Sequence, residues 1–407
     1  MLDKLIFSFL LIYGFFSTVS LAGGSIGLYG ALLFAIIRYF KKPFKIVWDK
    51  GILLAIAFFL ISLLLSALGS YDVPNTLKTV WRFLHRFFPL FLIALSIKDF
   101  QKNYKLIFVI LLSVAISDVV AIWQGIHGNY RANAFVANPI NLAGMLIQLI
   151  PIMVILVLQG KNLSKGIRYG LIFLTFLSFV ALLFNGTRGA WLAILVTLIV
   201  YGLLKIKEKP RVFLYCICFI FLSGLIIYNV PTIKARFYSI GDLESNSSNR
   251  ERVLIWKSAL QMFHDHPLTG VGAGNFGAVY QKQYISPHAV HPDLNHAHNN
   301  FLHTLAETGV IGFSGFLVLF GYLVFYFYKA YRRNNNNYWG LIGLLIVLVW
   351  LLHGLTEYNL GSSIIMRLFW VLMGIVLTQL KSDSGMVEQV IKPETTSNHN
   401  DSNNSVV

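Results

Sequence analysis

Five histidines crowd into one short polar segment, just before a long apolar stretch. They are His288, His291, His296, His298 and His303, all within sixteen positions. Spacings such as "HAVH" and "HAH" suit zinc ligands, but no cysteine and few acidic residues accompany them. An unperturbed imidazole has a pKa near 6.5, so it can also take a proton from a sugar hydroxyl near neutral pH. We therefore predict a general base, with His298 as the candidate, and keep a metal site and solvated loop histidines as alternatives.

A second chemical signal is a set of arginines at the ends of apolar stretches. They are Arg82, Arg86, Arg131, Arg188 and Arg252. Arg188, in "FNGTRGAW", lies in a very short turn, and an arginine near membrane depth usually faces a cavity and has a partner. Guanidinium groups bind phosphate oxygens in a bidentate fork, so we expect several of these arginines to form a pocket for a diphosphate. In the alternative, Arg188 extends to lipid headgroups. Arg82 and Arg86 could simply flank a span.

Other residues near this segment could support a base. Glu307 follows His298 by nine residues, and Glu357 lies in "HGLTEYNL" at the end of a later apolar stretch. Each carboxylate could orient the imidazole or balance an arginine charge. "NHAHNN" could begin a helix, and helix N-termini favour anions. We expect His296 and His303 to support the chemistry rather than to perform it.

The composition indicates which elements must position these residues. The chain has 407 residues, is 56% hydrophobic and only 12% charged, and has a mean hydropathy of +0.67. A soluble domain carries about 25% charged residues. The pattern predicts an all-α, polytopic membrane protein, because stretches long enough to cross a bilayer recur along most of the chain. We identify about twelve, at 5–22, 23–39, 51–69, 80–97, 106–124, 139–159, 169–186, 189–204, 212–229, 310–328, 338–356 and 364–380.

One connection is much longer than the others. About 70 residues separate the ninth and tenth spans, and a long loop in a compact protein is usually functional. Apolar residues at helical spacing after Ser247 or Ser248 predict an amphipathic helix near the membrane surface. The expected organisation is spans one to nine in 1–229, the loop with this helix and the His-rich segment in 230–300, spans ten to twelve in 301–380, and a disordered tail in 381–407.

Basic residues predict the orientation of the chain. Of its 33 lysines and arginines, 21 lie at the termini or in alternate connections counted from the N-terminus. The positive-inside rule then places both termini in the cytoplasm and the long loop on the other side. This topology and anionic headgroups account for the net charge of +16. We expect membrane lipids as partners and no nucleic acid.

Two motifs resemble a known family. "RVLIWKSALQMFHDHPLTGVGAGNF" followed by "HAHNNFLHTLAETGVIGF" is similar to the O-antigen ligase and polymerase superfamily of bacterial membrane glycosyltransferases, most of all to the ligases that join O-antigen to lipid A-core. Their pattern of His-Asn, nine variable residues and Gly is matched by His298, Asn299 and Gly309. The family's essential arginines match Arg188 in "TRGAW" and Arg252 in "RVLIW". "GVIGFSG" lacks the Thr-Thr that some ligases carry there, so ligase and polymerase both stay open.

The resemblance implies a GT-C-like protein of the bacterial inner membrane, with a periplasmic loop and a periplasmic active site. It implies an undecaprenyl-diphosphate-linked glycan as donor, lipid A-core as acceptor, and no metal or cofactor. The implied substrate-binding residues are Arg188, Arg252, Arg131 and Asn299. His298 would deprotonate the acceptor hydroxyl for a single inverting displacement. The alternatives are an O-antigen polymerase, whose acceptor is a second lipid-linked repeat unit, a protein O-oligosaccharyltransferase, or a transporter, which would show internal repeats.

Overall fold

A computed structural model describes residues 1–41, 49–97, 100–160, 163–242, 245–291, 293–333 and 337–391. Within these ranges the regular secondary structure is entirely helical. Single short turns of other helical types lie at Ser66–Gly69, Tyr280–Tyr284 and Asn359–Gly361. The α-helices are α1 (Leu2–Phe16), α2 (Leu21–Lys41), α3 (Lys50–Leu65), α4 (Val73–Ser96), α5 (Phe100–Ile126), α6 (Pro139–Gln159), α7 (Lys165–Asn185), α8 (Arg188–Lys205), α9 (Pro210–Asn229), α10 (Pro231–Tyr238), α11 (Ser247–Asp265), α12 (Phe276–Val279), α13 (Asn300–Arg333), α14 (Tyr338–His353) and α15 (Ser363–Ile391).

All twelve predicted spans are helical. Nine helices of the described ranges are long and apolar enough to cross a membrane, namely α2, α3 with the turn after it, α5, α6, α7, α8, α9, α13 and α15. Of the other three, α1 and α14 have only 15 and 16 residues, and α4 carries basic side chains along its length. The prediction of an all-α polytopic membrane protein is confirmed, with nine clear spans where about twelve were expected.

The helices differ in how deeply they are enclosed. In α6 and in the membrane-spanning part of α15, 78% of the span residues are buried, whereas in α9 only 11% are. α15 packs against α4, α6 and α14, and α13 packs against α3, α11 and α14. Small residues permit close approach, as membrane helices require: a Cβ on Gly144 of α6 would collide with Ile365 of α15. α6 and α15 thus form the centre, and α9 lies at the periphery.

The long connection contains the predicted amphipathic helix, α11. Its N-cap is Asn246, whose side chain accepts a hydrogen bond from the N–H of Asn249 at 3.2 Å. Such a cap contributes about 1 kcal/mol to a helix. The cap is therefore Asn246, one residue before the first of the two serines, Ser247 and Ser248, that the sequence pattern had suggested as caps. One face of α11 packs into a small apolar cluster with the segment that precedes α13.

A sharp bend at Gly309 divides α13. Its backbone has φ 59° and ψ −163°, and a Cβ there would collide with the carbonyl group of Leu268. Two N–H groups after the bend donate to the turn that ends α11, and two carbonyl groups before the bend accept from the same turn, so the interrupted helix keeps its hydrogen bonds. These bonds are Val310 to Pro267 (2.9 Å), Ile311 to Leu268 (3.2 Å), Val271 to Ala306 (3.1 Å) and Gly272 to Glu307 (2.8 Å).

The C-terminal helix is longer than expected. α15 continues to Ile391, beyond Lys381, where the disordered tail was predicted to begin. That prediction is wrong for residues 381–391, because the backbone continues the last helix without interruption. The rest of the predicted tail, 392–407, lies outside the described residues.

Candidate active site

His298, Glu357 and Arg252 form a chain of polar contacts at one end of the helix bundle. The imidazole Nδ1 of His298 lies 3.1 Å from Glu357 Oε2, and Arg252 Nη2 is paired with the other carboxylate oxygen. Burial alone would raise the pKa of the Glu357 carboxyl, but Arg252 and the hydrogen bond from His298 lower it to about 2. Because an ionised carboxylate only accepts hydrogen bonds, Nδ1 of His298 is the donor. In the neutral imidazole, Nε2 is then the nitrogen that can accept a proton.

The backbone of His298 is unusual and is held by contacts on both sides. Its φ is 47°, in the left-handed region that residues other than glycine rarely adopt, at a cost of about 1–3 kcal/mol. Flanking contacts hold it: the indole N–H of Trp256 donates to the carbonyl of Ala297 at 2.8 Å. Next to it, Asn299 caps α13 by accepting from the N–H groups of residues 301 and 302. Hydrogen bonds made by the residues on both sides thus hold His298 in its strained conformation.

Arg252 and Trp256 explain why α11 belongs to the site. They lie four residues apart, so they share one face of the helix. Trp256 donates a hydrogen bond to the carbonyl of Ala297, the residue before His298. Arg252, one turn earlier on the helix, donates to Glu357. Glu251 holds the same segment from the other direction by accepting from the N–H of Val290 at 2.8 Å. The helix predicted in the loop therefore aligns the guanidinium with the histidine.

Arg188 is held rigidly at the start of α8. Its Nη1 donates to both the carbonyl and the hydroxyl oxygen of Ser239 at 2.8 Å, and its Nη2 donates to Asn249 Oδ1 at 2.7 Å. The next residue, Gly189, lies so close to Thr356 that a Cβ would collide with the threonine side chain. This packing brings the start of α8 beside the segment that carries Glu357.

Two further arginines complete a positively charged cluster. Arg131, whose side chain is exposed, interacts electrostatically with Glu357 and Arg252. Arg236 of α10 donates through Nε to the carbonyl of Gly186 at 2.7 Å. Burial and the neighbouring arginines lower the pKa of Arg236 to about 10. Arg252, Arg131 and Arg188 interact electrostatically with Glu357, and Arg236 interacts with these three arginines, so positive charge is in excess among these described residues and favours an anionic ligand. We call this set the His298 site; it consists of His298, Glu357, Arg252, Arg188, Arg131 and Arg236.

The other predicted histidines lie near this site but are engaged differently. The ring of His296 lies 4.2 Å from that of His298, and burial together with the positive neighbours lowers its pKa to about 3, so it stays neutral. His303 is buried: its Nδ1 accepts from the N–H of Ala297 at 3.4 Å, and its Nε2 lies 3.3 Å from Glu307. Glu307 in turn accepts from the N–H of Phe276 at 3.0 Å. His303 and Glu307 thus connect the His-rich segment to the preceding turn.

Three other predicted residues do not face the ligand space of the His298 site. Asn299 uses its side-chain amide on the carbonyl of Leu355 and its oxygen to cap α13. Arg82 and Arg86 line a separate cavity, and Arg86 donates to the carbonyl groups of Leu360 and Gly361. Within the described ranges, no three histidine, cysteine or acidic side chains are grouped as metal ligands.

Sequence reasoning missed part of the site. Arg236 lies in the same long loop as Arg252 and satisfied the same criterion of an outward basic residue, so the signal was present. Ser239 and Asn249, which accept hydrogen bonds from Arg188, could not be identified from the sequence, since serine and asparagine are common in polar loops. Arg367, an isolated arginine at the start of α15, was also overlooked.

The fold and the site define a polytopic membrane protein with a basic site built around a histidine–glutamate pair. A family model described as O-antigen ligase matches residues 173–317, a range that includes Arg188, Arg252 and His298. An uncharacterized protein of Haemophilus influenzae is 25% identical over 303 residues, covering 70% of this chain and 75% of the relative. The teichuronic acid biosynthesis protein TuaE of Bacillus subtilis is 33% identical over 136 residues, which is 32% of this chain and 26% of TuaE.

These matches support a relationship between this chain and the O-antigen ligase superfamily, with the family similarity extending over residues 173–317. The family supports a membrane glycosyltransferase of polysaccharide biosynthesis that acts on lipid-linked glycans. The family resemblance inferred from the motifs around His298 and Arg252 is thereby confirmed.

Proposed function

We propose that this protein transfers a glycan from undecaprenyl diphosphate to a sugar hydroxyl of lipid A-core, as an O-antigen ligase of the bacterial inner membrane. The observation that carries the proposal is the His298–Glu357 pair surrounded by arginines, because it combines a base with a diphosphate-binding charge. The distribution of basic residues supports cytoplasmic termini and a periplasmic site.

The arginines of the His298 site would bind the diphosphate of the donor. Arg188 donates to Asn249, which lies about one turn before Arg252 on α11, so a diphosphate bound beside both arginines would gain charge-assisted hydrogen bonds from each. Arg131 and Arg236 add further positive charge, and neither forms an ion pair with a carboxylate among the described residues. Asn299 would act by positioning His298, since its amide group is occupied by the backbone.

Two apolar cavities support a lipid tail beside this charge. One of about 170 Å³ lies between α7, α8, α9 and Phe237, the residue next to Arg236. The other, of about 300 Å³, lies between α6, α7 and α9, and shares Leu198 and Phe219 with the first. From Leu183 back to Ile172, both in α7, they extend about 17 Å along the axis of this helix. The isoprenoid tail would lie along them, with the diphosphate at the arginine end.

The transfer itself would be a single displacement. Nε2 of His298 takes the proton of the acceptor hydroxyl, and the oxygen attacks the anomeric carbon from the face opposite the diphosphate. The bond between this carbon and the diphosphate oxygen breaks, and the electron pair leaves with undecaprenyl diphosphate. The arginines stabilise the negative charge on the leaving group, while Glu357 stabilises the protonated imidazole until the proton is released. The product glycoside has inverted configuration, and neither a metal nor a cofactor takes part.

A second candidate function is that of a polymerase, which differs from a ligase in its acceptor. The partial match to a teichuronic acid biosynthesis protein favours a wider range of acceptors than lipid A-core, because that relative is named for a different polysaccharide. A polymerase would use the same base and the same arginines, and its acceptor would be the end of another lipid-linked repeat unit.

Reconstitution in proteoliposomes tests the proposal. Purified protein receives a labelled lipid-linked glycan with either lipid A-core or a second lipid-linked repeat, and the products are separated on a gel. We expect transfer to lipid A-core, lost in His298→Ala and kept in His288→Ala, an exposed histidine of the same segment. Transfer only to the second repeat would establish a polymerase. Equal activity of the His298→Ala protein would refute the mechanism in either case.

A further inference from the structure

A second basic cavity lies on the other side of the segment that carries Glu357. It has a volume of about 400 Å³ and is lined by Arg82, His85 and Arg86 of α4 and by Arg367 of α15. Arg86 donates to the carbonyl groups of Leu360 and Gly361, three and four residues after Glu357. The 357–361 segment therefore separates this cavity, which we call the Arg367 cavity, from the His298 site.

The charge of the Arg367 cavity is not neutralised by the protein. Within the described ranges, no carboxylate lies at ion-pair distance from Arg82, Arg86 or Arg367. Arg367 donates to the hydroxyl of Ser25 at 3.0 Å, and Arg82 is exposed, with no side-chain hydrogen bond among the described residues. Three guanidinium groups without a counter-charge form a site for a strongly charged anion, and phosphate matches their fork geometry.

The surroundings of this cavity point to the headgroup of a lipid. Ser363, the first residue of α15, lies on its wall, so the positive end of a long helix adds to the arginine charge. Tyr29 lines the cavity, and Trp81 lies next to Arg82 on α4; both aromatic side chains are about half exposed. Tyrosine and tryptophan of this kind are typical of the membrane–water interface. A phosphate bound here would therefore lie at headgroup level.

We propose that the Arg367 cavity binds the phosphate-bearing headgroup of a membrane lipid, and that in glycan transfer this lipid is the acceptor. The second half of the proposal rests on the proposed function, since it assigns the donor diphosphate to the His298 site. Leu360 follows Glu357 by three positions, so their backbones are at most about 11 Å apart. A sugar attached to a headgroup in the cavity could thus reach His298 across this segment.

A paired charge removal tests the site. In Arg82→Gln/Arg367→Gln the cavity loses two charges, while Arg86, which holds the 360–361 turn, is kept. Lys78→Gln/Lys257→Gln, two exposed lysines that do not line the cavity, removes the same charge elsewhere. The probe is phosphatidic acid in phosphatidylcholine nanodiscs, and bound lipid is counted by native mass spectrometry. We expect the cavity variant to bind phosphatidic acid about tenfold more weakly, and the lysine control to bind like the wild type.

This binding measurement does not depend on glycosyl transfer, so it decides the site even if the proposed function fails. Equal binding by the cavity variant and the wild type would overturn the site. Displacement by inorganic diphosphate as efficient as by the lipid would mean that the cavity recognises a free anion, which also overturns a lipid site. In the transfer assay we expect the KM for the acceptor to rise about tenfold, with the KM for the donor unchanged. A rise in the donor KM instead would overturn the acceptor assignment.

Discussion

His298 and His303 lie five residues apart, and each has a glutamate beside it, yet the two pairs differ in exposure, and we propose that they serve different purposes. In the first pair, the His298 side chain is 18% exposed and Glu357 is 3% exposed. In the second, His303 and Glu307 are 3% and 5% exposed. The imidazole–carboxylate distances are nearly the same, 3.1 Å and 3.3 Å. Accessibility of the ring, rather than the pairing itself, distinguishes them.

The use of the ring nitrogens explains this difference. Both nitrogens of His303 are engaged, one by the N–H of Ala297 and the other by Glu307. His298 uses Nδ1 on Glu357, and its Nε2 has no hydrogen bond to any described residue. We therefore propose that a histidine–glutamate pair can act as a base only where the fold leaves one ring nitrogen for a ligand. The strained backbone of His298 and the regular helix around His303 produce these two outcomes.

The largest expected effect comes from removing the open nitrogen. We expect His298→Ala to lower kcat by about 10³-fold, within the range typical of a lost general base. His298→Gln should be equally inactive, since an amide cannot take the proton. Detergent-purified protein and the labelled-glycan assay measure this, with an unchanged elution profile as the control for folding. Retention of more than a tenth of the wild-type rate in both variants would mean that His298 is not the base.

The next effect separates the two carboxylates. Glu357→Gln keeps an acceptor for His298 but removes the charge that stabilises its protonated form and pairs with Arg252, so we expect about a 10²-fold lower kcat. Glu307→Gln should leave kcat within a few-fold of wild type in the folded fraction. Equal losses of kcat in the two variants would contradict the proposal that only the His298–Glu357 pair takes part in the reaction.

The stability of the protein should respond in the opposite order. His303→Ala leaves the N–H of Ala297 and the carboxylate of Glu307 without their partner in a buried place, which costs about 1–3 kcal/mol. We expect a Tm several degrees below wild type, measured by scanning fluorimetry in detergent. His298→Ala should keep its Tm or raise it, because the ring is more exposed than that of His303 and its removal relieves a residue with a strained backbone. A lower Tm in His298→Ala than in His303→Ala would contradict this order.

A smaller effect concerns His296, the neighbour of both pairs. Its folded-state pKa of about 3 lies below the value near 6.5 of an unfolded histidine, so between these values only the unfolded chain binds the proton. Stability should therefore fall as the pH falls through this window. We expect His296→Gln to reduce the drop in Tm between about pH 7 and pH 5. Glu357, whose stabilising charge is lost only as the pH falls below about 4.5, does not interfere there.

The smallest expected effect is that of chelation. Since the arginines supply the positive charge, EDTA should leave the transfer rate unchanged. A metal site would make His296, His298 and His303 equally important. Loss of activity in EDTA, restored by zinc, together with equal losses in the three alanine variants, would favour that alternative.

Much of the architecture could be predicted because membrane spans are long and uniformly apolar. The hydropathy pattern located the twelve helices α1–α9 and α13–α15, and the periodicity after Ser247 located α11. α4 shows the limit of this reasoning: its basic residues lower its hydropathy although it packs against the central helix α15. The continuation of α15 past Lys381 was missed because a polar composition was interpreted as disorder.

The site could be predicted only in part. Motif spacing identified His298, Arg188 and Arg252, and two roles were considered for Glu357, to orient the base or to pair with an arginine; the structure shows both contacts. Spacing could not show which glutamate pairs with which histidine, since this depends on the left-handed backbone of His298. Nor could it separate Arg86 from Arg252, because the 357–361 segment that divides the two basic regions is visible only in three dimensions.

The bend at Gly309 explains why the distance from His298 to this glycine should matter so much. Four hydrogen bonds fix the bend to the turn after α11, and the short helical piece before it carries the histidine at its other end. One residue added or removed within that piece would rotate the preceding residues, including His298, by about 100° around the helix axis. The imidazole would then turn away from its carboxylate even though no side chain of the site had changed. The number of residues between Asn299 and Gly309 should therefore be constrained more strongly than their identity.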